Sequence, residues 1–347
     1  MATIMERLNG LAETRIVGGM VRNAVIAHNQ TTGQKASPQN IAKEKPATAS
    51  VSGCYHADDS HYYDLAIATT PKQLHHHASQ FDDWRLVLDG FSHGIIRIIS
   101  AGMMVEVACL RRDVSTDGRH AVVAFTTDWL ADAARRDFTI NSLYADHQGR
   151  IIDSLNIMDD FFPLRLRFIG DSEQRIKEDY LRILRYYRFL ATLPIDSDDN
   201  TNRMAIKKHR GELARLSPER IGGELIKIFL ADPRDDGAPR PLTIMRMMLD
   251  DGIWSALRPT VESPIGFTPA AEQIKKLDAF IPIINRWPAP RRAVFYYRLI
   301  DQTGHHYKKL AFPKSINHLL RSLYIAEERA ETPFAIHYHH GTDVFHI

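Results

Sequence analysis

Glu178-Asp179-Tyr180-Leu181-Arg182 opens a run in which one carboxylate is followed by guanidiniums at Arg182, Arg185 and Arg188. Residues three apart share a face of a helix, so a helix here sets Asp179 beside Arg182. Cytosine and adenine both present an amino donor next to a ring-nitrogen acceptor. A carboxylate accepts from the amino group, and a guanidinium donates to the ring nitrogen. Guanine and uracil carry the opposite pattern. A rigid Asp179–Arg182 pair therefore selects C and A without a template. The competing reading of these five residues alone is an exposed helix with ordinary charge pairs.

Three further groups carry chemistry. Ile16-Val17-Gly18-Gly19-Met20-Val21-Arg22 puts a glycine pair between a strand-like and a helix-like stretch. Such a turn lets backbone N–H groups approach phosphate oxygens, and Arg22 is placed to cap them; an ordinary turn is the alternative. Asp64 and Glu106 each lie in a predicted strand. Phosphoryl transfer with Mg²⁺ needs hard oxygen ligands converging on one point. If those strands are neighbours, the two carboxylates meet over one sheet face. Arg135-Arg136-Asp137-Phe138-Thr139-Ile140-Asn141 ends an amphipathic stretch, where arginine suits a triphosphate and Asp and Asn suit ribose hydroxyls; a helix end with charge pairs is the alternative. Leu110-Arg111-Arg112-Asp113 and Asp117-Gly118-Arg119-His120 read as a basic loop, either beside a nucleotide or simply solvated.

The elements that must position these groups follow from pattern. Thr14 to Val17 reads as a strand and Met20 to Ala27 as a helix. Residues 30–61 are rich in Ser, Thr, Gln, Lys, Ala and Pro with little periodicity, and are expected to form a surface insertion. Tyr62 to Ala68, Trp84 to Leu88, Gly94 to Ile99 and Met103 to Leu110 are predicted strands, with a Pro-started helix from Pro71. From Asp171 onward the pattern is helical. In Asp171 to Leu190 the positions Ile176, Tyr180, Ile183, Leu184, Tyr187 and Leu190 make an apolar face, with Arg175, Asp179, Arg182 and Tyr186 opposite. Gly211 to Leu230, Leu242 to Leu249, Arg291 to Ile300 and Ile316 to Glu328 also suit helices.

Composition narrows the classes. The 347 residues, 44% hydrophobic and 25% charged, suit a globular protein of two or more domains. A formal net charge of +2 gives no strong global field, so RNA binding needs local basic patches, such as the arginines from Arg175 to Arg246. The two cysteines, Cys54 and Cys109, fit a reducing compartment and have no metal-ligand spacing. The start lacks the basic and apolar pattern of a signal peptide, and no apolar run is long enough to span a membrane, so a cytoplasmic location is expected. His75-His76-His77 and His337, His339, His340 and His346 read as surface histidines.

Taken in order, these blocks resemble the class II tRNA nucleotidyltransferase and poly(A) polymerase family, the CCA-adding enzymes. The matching stretches are Gly18-Gly19-x-Val21-Arg22, Asp64-Leu65-Ala66, Glu106-Val107 leading to Leu110-Arg111-Arg112-Asp113, and Arg135 to Asn141. Ile151-Ile152-Asp153, Gly170-Asp171, Glu178-Asp179-x-x-Arg182-x-x-Arg185-x-x-Arg188-Phe189 and Ser217-Pro218-Glu219-Arg220-Ile221-x-x-Glu224-Leu225 complete the set. The resemblance implies an α+β chain: a polymerase-β-like nucleotidyltransferase head at 1–153, a helical neck at 154–235 that reads the nucleobase and binds RNA, and a helical body and tail at 236–347. It implies addition of C, C and A to tRNA 3′ ends from CTP and ATP. By position, Gly18, Gly19 and Arg22 hold the triphosphate, and Arg136, Asp137 and Asn141 address ribose and phosphates. Asp179 and Arg182 read the base with Arg185 and Arg188 in support, and Asp64 and Glu106 bind Mg²⁺. A poly(A) polymerase of the same family is the alternative activity.

The sequence departs from the family pattern at one chemically important place. The family carries Asp-x-Asp on the metal strand, and here the run is Tyr62-Tyr63-Asp64. A phenol with a pKa of about 10 is a poor Mg²⁺ ligand. Three accounts fit: a catalytically impaired RNA-binding homologue, rescue by Asp58 or Asp59, or a change in this copy relative to its relatives. Asn23 stands where the family usually has Asp, and Asn156 and Ile157 stand where it usually has a Gly-Gly hinge.

Overall fold

The computed structural model describes residues 2–32, 62–116, 121–195, 200–232 and 240–257, and then 289, 292–293, 295–296, 335–336 and 345–346. The chain divides into two compact units, Met1–Asp179 with Pro194–Ala205, and Tyr180–Leu193 with Ile206–Ile347.

The first unit is built on a mixed seven-stranded sheet. Its strands are β1 (Thr14–Val17), β2 (Tyr62–Ile67), β3 (Arg85–Val87), β4 (Ile95–Ser100), β5 (Met103–Cys109), β8 (Tyr144–Ala145) and β9 (Ile151–Ile152), in the order β3-β4-β5-β2-β1-β8-β9. Alternating residues fill one face: Leu65, Ile96, Ile98, Val105 and Val107 are all buried. The strands β4 and β5 form a hairpin in which Ser100 pairs with Met103. Ala101 and Gly102 between them have φ of 50° and 77°. Two consecutive left-handed residues make the tight turn that matches strand twist, and such a turn fixes the register of the whole hairpin. Counting back from it places Arg97 opposite Glu106. The other neighbour of β5 is β2, which runs parallel to it with Asp64 opposite Glu106.

Around this sheet lie α1 (Ala2–Asn9), α2 (Gly19–Thr32), α3 (Pro71–Ala78), α4 (Trp129–Ala134) and α5 (Ser172–Glu178). The start of α3 carries Pro71 at its first turn and Thr70 as its cap, in a reciprocal capping box with Gln73. Asp128 caps α4 by accepting from the N–H groups of Leu130 and Ala131. Asn156 has φ of 56°. At the place of the family's glycine hinge it takes the left-handed conformation that asparagine tolerates better than most residues.

The second unit is mainly helical where described. It contains α6 (Leu181–Thr192), α8 (Pro218–Phe229), α9 (Arg240–Asp250) and α10 (Ile253–Leu257), while α7 (Asn200–His209) runs from the first unit into it. The helix α6 packs on α8 and α9, and Ile183, Leu184 and Tyr187 of α6, Ile221 and Leu225 of α8 and Met245 of α9 are all buried. The fully enclosed Asp251 accepts from the Tyr187 hydroxyl at 2.7 Å and pairs with Lys207 Nζ at 3.0 Å. A short antiparallel pair, β10 (Ala335–Ile336) with β11 (Phe345–His346), lies near the end of the chain.

Several expectations change. The helix predicted across Asp171 to Leu190 is two helices, α5 and α6, interrupted at Asp179, whose φ of −153° and ψ of 107° are extended. Each short helix keeps its own 3.6-residue period, so the apolar pattern runs through the break unmarked. Asp179 and Arg182 therefore do not share one helix face. Arg175, Arg182 and Tyr186, expected opposite the apolar face, are buried: Arg175 of α5 is tied to the carbonyls of Arg135 and Arg136, and Arg182 and Tyr186 lie on α6, which is enclosed on both sides. Gly211 to Leu230 is a 3₁₀ segment at Arg210–Arg215 followed by α8, with the break at Leu216-Ser217-Pro218. Leu216 is extended and Pro218 sits at the first turn of α8, where its missing N–H costs nothing. Of the expected basic loop, Arg111 to Asp113 lie instead in a two-stranded ribbon, β6 (Arg111–Thr116) with β7 (Ala121–Phe125), while Asp117 to His120 lie outside the described residues. The helix α2 runs to Thr32, so residues 30–32 belong to it. The rest of the expected insertion, 33–61, lies outside the described residues, as do Ile316 to Glu328 and most of Arg291 to Ile300.

Candidate active site

The turn between β1 and α2 sets the centre of the site. Gly18 has φ of 78°, a conformation that favours glycine, and a side chain there would meet Asp64 Oδ2 at 3.4 Å. The Asp64 carboxylate thus faces the glycine turn, and Glu106 stands opposite Asp64 in the strand ladder. Both acids are half-buried. The conditional expectation that these strands are neighbours is met.

Arg22, one turn into α2, lies over Gly19, with a Gly19 Cβ falling 3.3 Å from Arg22 Nη2. Its Nη1 donates to Asn141 Oδ1 at 2.7 Å, and its Nε donates to Asn23 Oδ1 at 3.1 Å. Asn23 therefore keeps a hydrogen bond to Arg22 but without the charge of the family's Asp. Asn141 Nδ2 in turn donates to Asp137 Oδ1 at 3.0 Å, which also accepts from the Phe138 N–H at 2.9 Å. Arg136 Nη1 donates to the Asn141 carbonyl at 3.4 Å. Gly18, Gly19, Arg22, Arg136, Asp137 and Asn141 are brought together, and Arg22 and Asp137 are mostly buried within this network.

One residue that sequence reading passed over holds the network. Asp132, only 1% exposed, pairs with Arg135 Nη2 at 2.6 Å and Arg136 Nη2 at 2.9 Å. It also accepts from the Tyr144 hydroxyl at 2.8 Å and the Arg111 N–H at 3.3 Å. Burial alone raises its carboxyl pKa, but Arg136, Arg135 and the Tyr144 hydroxyl overcome this and bring it down to about 2. Burial pushes the Tyr144 hydroxyl up, so it stays a donor. Arg175 adds a second tie, donating to the carbonyls of Arg135 and Arg136 and pairing with Glu178 at 2.6 Å. The signal for Asp132 was present in its spacing of three and four to the two arginines. Tyr144 and Arg175 arrive by long-range folding and left no local signal.

Asp132→Ala is expected to destabilise the first unit by about 3 kcal/mol, since two half-buried guanidiniums lose their enclosed counter-charge. The sign with pH follows from a folded pKa near 2 against an ordinary 3.8. The stabilisation, roughly 2 kcal/mol, is fully present above about pH 4 and is lost as pH falls toward 2. Denaturant unfolding of parent and variant at pH 7 and pH 3 should show the gap narrowing in acid. A gap that stays constant would remove Asp132 as the source.

The remaining predicted residues fall in the helical region. Asp179 is the extended residue after α5, and Arg182 is buried in the first turn of α6. Arg188 pairs with Glu224 at 2.9 Å and lies over the Phe189 ring at 4.2 Å, which ties α6 to α8. Arg185 lies 5.8 Å from the same ring. Cys109 is buried and its thiol is pushed up to about 12 by desolvation, so it is no nucleophile at neutral pH. His77 Nε2 bonds the Arg7 carbonyl at 2.8 Å, and His75 packs edge-on to Phe91.

As a test of metal fit, Asp64 and Glu106 offer hard carboxylate oxygens of the kind a divalent cation takes. Among the described residues no group of three His, Cys, Asp or Glu is gathered as a metal site. The pair thus fits a cation that takes its other oxygens from a triphosphate, as Mg²⁺ commonly does at phosphoryl-transfer sites. Tyr62 is paired with Met104 in the backbone ladder, and Asp58 and Asp59 lie outside the described residues.

Comparison with known proteins agrees with this layout. The family described as "Poly A polymerase head domain" matches residues 14–167, and "Probable RNA and SrmB- binding site of polymerase A" matches residues 199–263. The chain is 42% identical over 172 residues to the mitochondrial CCA tRNA nucleotidyltransferase 1 of Mus musculus, covering 49% of this chain and 39% of that protein. It is 34% identical over 173 residues to the CCA-adding enzyme of Streptococcus uberis, covering 49% and 41%. The chain thus spans less than half the length of these relatives. In fold it is similar to the Bacillus stearothermophilus CCA-adding enzyme in complex with CTP, with a TM-score of 0.65, 21% identity and coverage of 96% of this chain and 70% of that one. A tRNA nucleotidyltransferase complexed with a primer tRNA and an incoming ATP analog gives a TM-score of 0.63 at 17% identity, covering 95% and 87%. The glycine turn, the paired carboxylates and the Arg136–Asp137–Asn141 cluster all lie within residues 14–167, and this part of the chain belongs to the poly A polymerase head domain family.

Proposed function

We propose that this chain is a template-free nucleotidyltransferase that adds C, C and A to tRNA 3′ ends from CTP and ATP, with Mg²⁺ as its metal. The observation that carries this reading is the in-register Asp64–Glu106 pair beside the Gly18 turn. Relatives of this family generally use divalent metal ions. The chemistry supplied by bound Mg²⁺ is a lowered pKa at the RNA 3′-hydroxyl and charge neutralisation at the α-phosphate. The chain's own part is positioning. Backbone N–H groups at the start of α2 and the Arg22 and Arg136 guanidiniums hold the triphosphate, Asp137 and Asn141 orient the ribose, and Asp64 and Glu106 hold the cation. Asp179 and Arg182 select the base, with Arg185 and Arg188 supporting α6. We assign nucleotidyl transfer to residues 1–153, base reading and RNA contact to 154–235, and the helical body and tail to 236–347.

Among the described residues no helix is long and apolar enough to cross a membrane. A cytoplasmic location is our reading, and fractionation decides it against the mitochondrial location carried in the names of the animal relatives.

The test is incubation with Mg²⁺ and tRNA lacking its 3′ end, supplying labelled CTP, ATP, GTP and UTP singly and together. Incorporation of CTP and then ATP supports the proposal. ATP incorporation alone on any RNA identifies a poly(A) polymerase. RNA binding with no incorporation identifies a non-catalytic homologue, a reading favoured by Tyr62 on the metal strand. Tyr62→Asp is expected to raise Mg²⁺-dependent incorporation about tenfold by adding a hard oxygen ligand. If Tyr62→Asp matches the parent while Asp58→Asn with Asp59→Asn abolishes activity, rescue by those acids is the correct account.

A further inference from the structure

Glu106 has a resident cation. Arg97 Nε donates to Glu106 Oε2 at 3.0 Å, while Arg97 Nη1 donates to Asp89 Oδ2 at 2.5 Å. The Ala101–Gly102 turn fixes Arg97 opposite Glu106, and the parallel pairing fixes Glu106 opposite Asp64. A guanidinium and two carboxylates thus stand in one row across β4, β5 and β2. The Glu106 side chain is 22% exposed and that of Asp89 is 60% exposed, so the contact with Glu106 is the less screened of the two.

We propose that Arg97 competes with the divalent cation for Glu106 and thereby sets the metal affinity of the site. This rests on reading Asp64 and Glu106 as the metal-holding pair. A guanidinium and a divalent cation at one carboxylate repel each other, so metal capture at Glu106 requires Arg97 to loosen its hold. Asp89 is the counterweight, because it offers the guanidinium a second carboxylate. Arg97 is a positioning residue on Glu106, and it makes binding of the cation depend more strongly on the negative charge of an accompanying triphosphate.

The experiment is Mn²⁺ binding to the full chain, followed by the electron paramagnetic resonance signal of free Mn²⁺, with and without a non-hydrolysable CTP analogue. Arg97→Met is expected to tighten Mn²⁺ binding about fivefold, with the larger gain in the absence of nucleotide. Asp89→Asn removes the counterweight and is expected to weaken it about twofold. A purely structural role for Arg97 does not produce opposite signs in these two variants. In a Glu106→Gln background the effect of Arg97→Met should vanish. The proposal is overturned if Arg97→Met leaves the Mn²⁺ Kd unchanged, if both variants shift it in the same direction, or if the effect persists without Glu106. Should Arg97→Met fail to fold, the sign of the Asp89→Asn shift decides. Unchanged Kd values beside intact metal-dependent nucleotide addition overturn the Arg97 role alone. Absence of Mn²⁺ binding in every variant overturns both it and the metal-dependent reading.

Discussion

Asp64→Asn is expected to lower CTP and ATP incorporation by about three orders of magnitude at saturating nucleotide, with little change in nucleotide affinity. The Asn side chain keeps the shape of Asp64 and an oxygen acceptor, but it loses the charge. A cation at a phosphoryl-transfer site contributes several kcal/mol of transition-state stabilisation. Each factor of ten corresponds to about 1.4 kcal/mol, so losing roughly 4 kcal/mol gives the stated drop. The effect belongs in kcat, because the charge acts where the 3′-hydroxyl attacks and pyrophosphate leaves. Glu106→Gln is expected to cost less. Glu106 shares its carboxylate with Arg97, which offsets part of its charge before any cation binds. Single-turnover incorporation with each variant, alongside nucleotide titration, checks the order. An Asp64→Asn variant within tenfold of the parent removes Asp64 from the metal-holding role.

The strands of the head were legible because their alternation is clean: Val105 and Val107 point inward while Glu106 faces the other way. The pairing of Asp64 with Glu106 was legible only conditionally, since a parallel pairing depends on contacts far apart in sequence. Arg97 shows a different limit. Both strands of its hairpin were read, and counting from the Ala101–Gly102 turn places Arg97 on Glu106. The signal was in the chain but needed the turn type, not hydrophobic pattern, to reveal it. The ribbon of β6 and β7 was hidden by its charged start at Arg111-Arg112-Asp113, which reads as loop, and by a register shift between Asp113 and Ser115. The break at Asp179 was hidden for the opposite reason. Apolar spacing continued smoothly through it, and what ended α5 was the extended backbone of one acidic residue.

That break bears on the second large effect expected. Replacing Asp179 and Arg182 together by Ala is expected to erase the preference for C over U and for A over G, a loss on the order of 10³-fold in selectivity. On the proposed reading, the discriminating groups are an acceptor at Asp179 and a donor at Arg182. A base with the reversed pattern leaves both groups without a complementary partner, which is how hydrogen bonding rejects the wrong substrate. Had the two residues shared a continuous helix, both groups would be mounted on one rigid element. Instead Asp179 is the extended residue that ends α5 and Arg182 is buried in the first turn of α6, so acceptor and donor are mounted on different local backbone. The single variants should therefore differ. Arg182→Ala is expected to lower the rates with CTP and ATP as well as selectivity, because α6 loses a buried side chain. Asp179→Ala is expected to relax selectivity with a smaller loss of rate. Single-nucleotide incorporation with each of the four triphosphates on tRNA lacking its 3′ end measures both quantities. Unchanged selectivity in the double variant sinks the base-reading assignment, whatever happens to the rate.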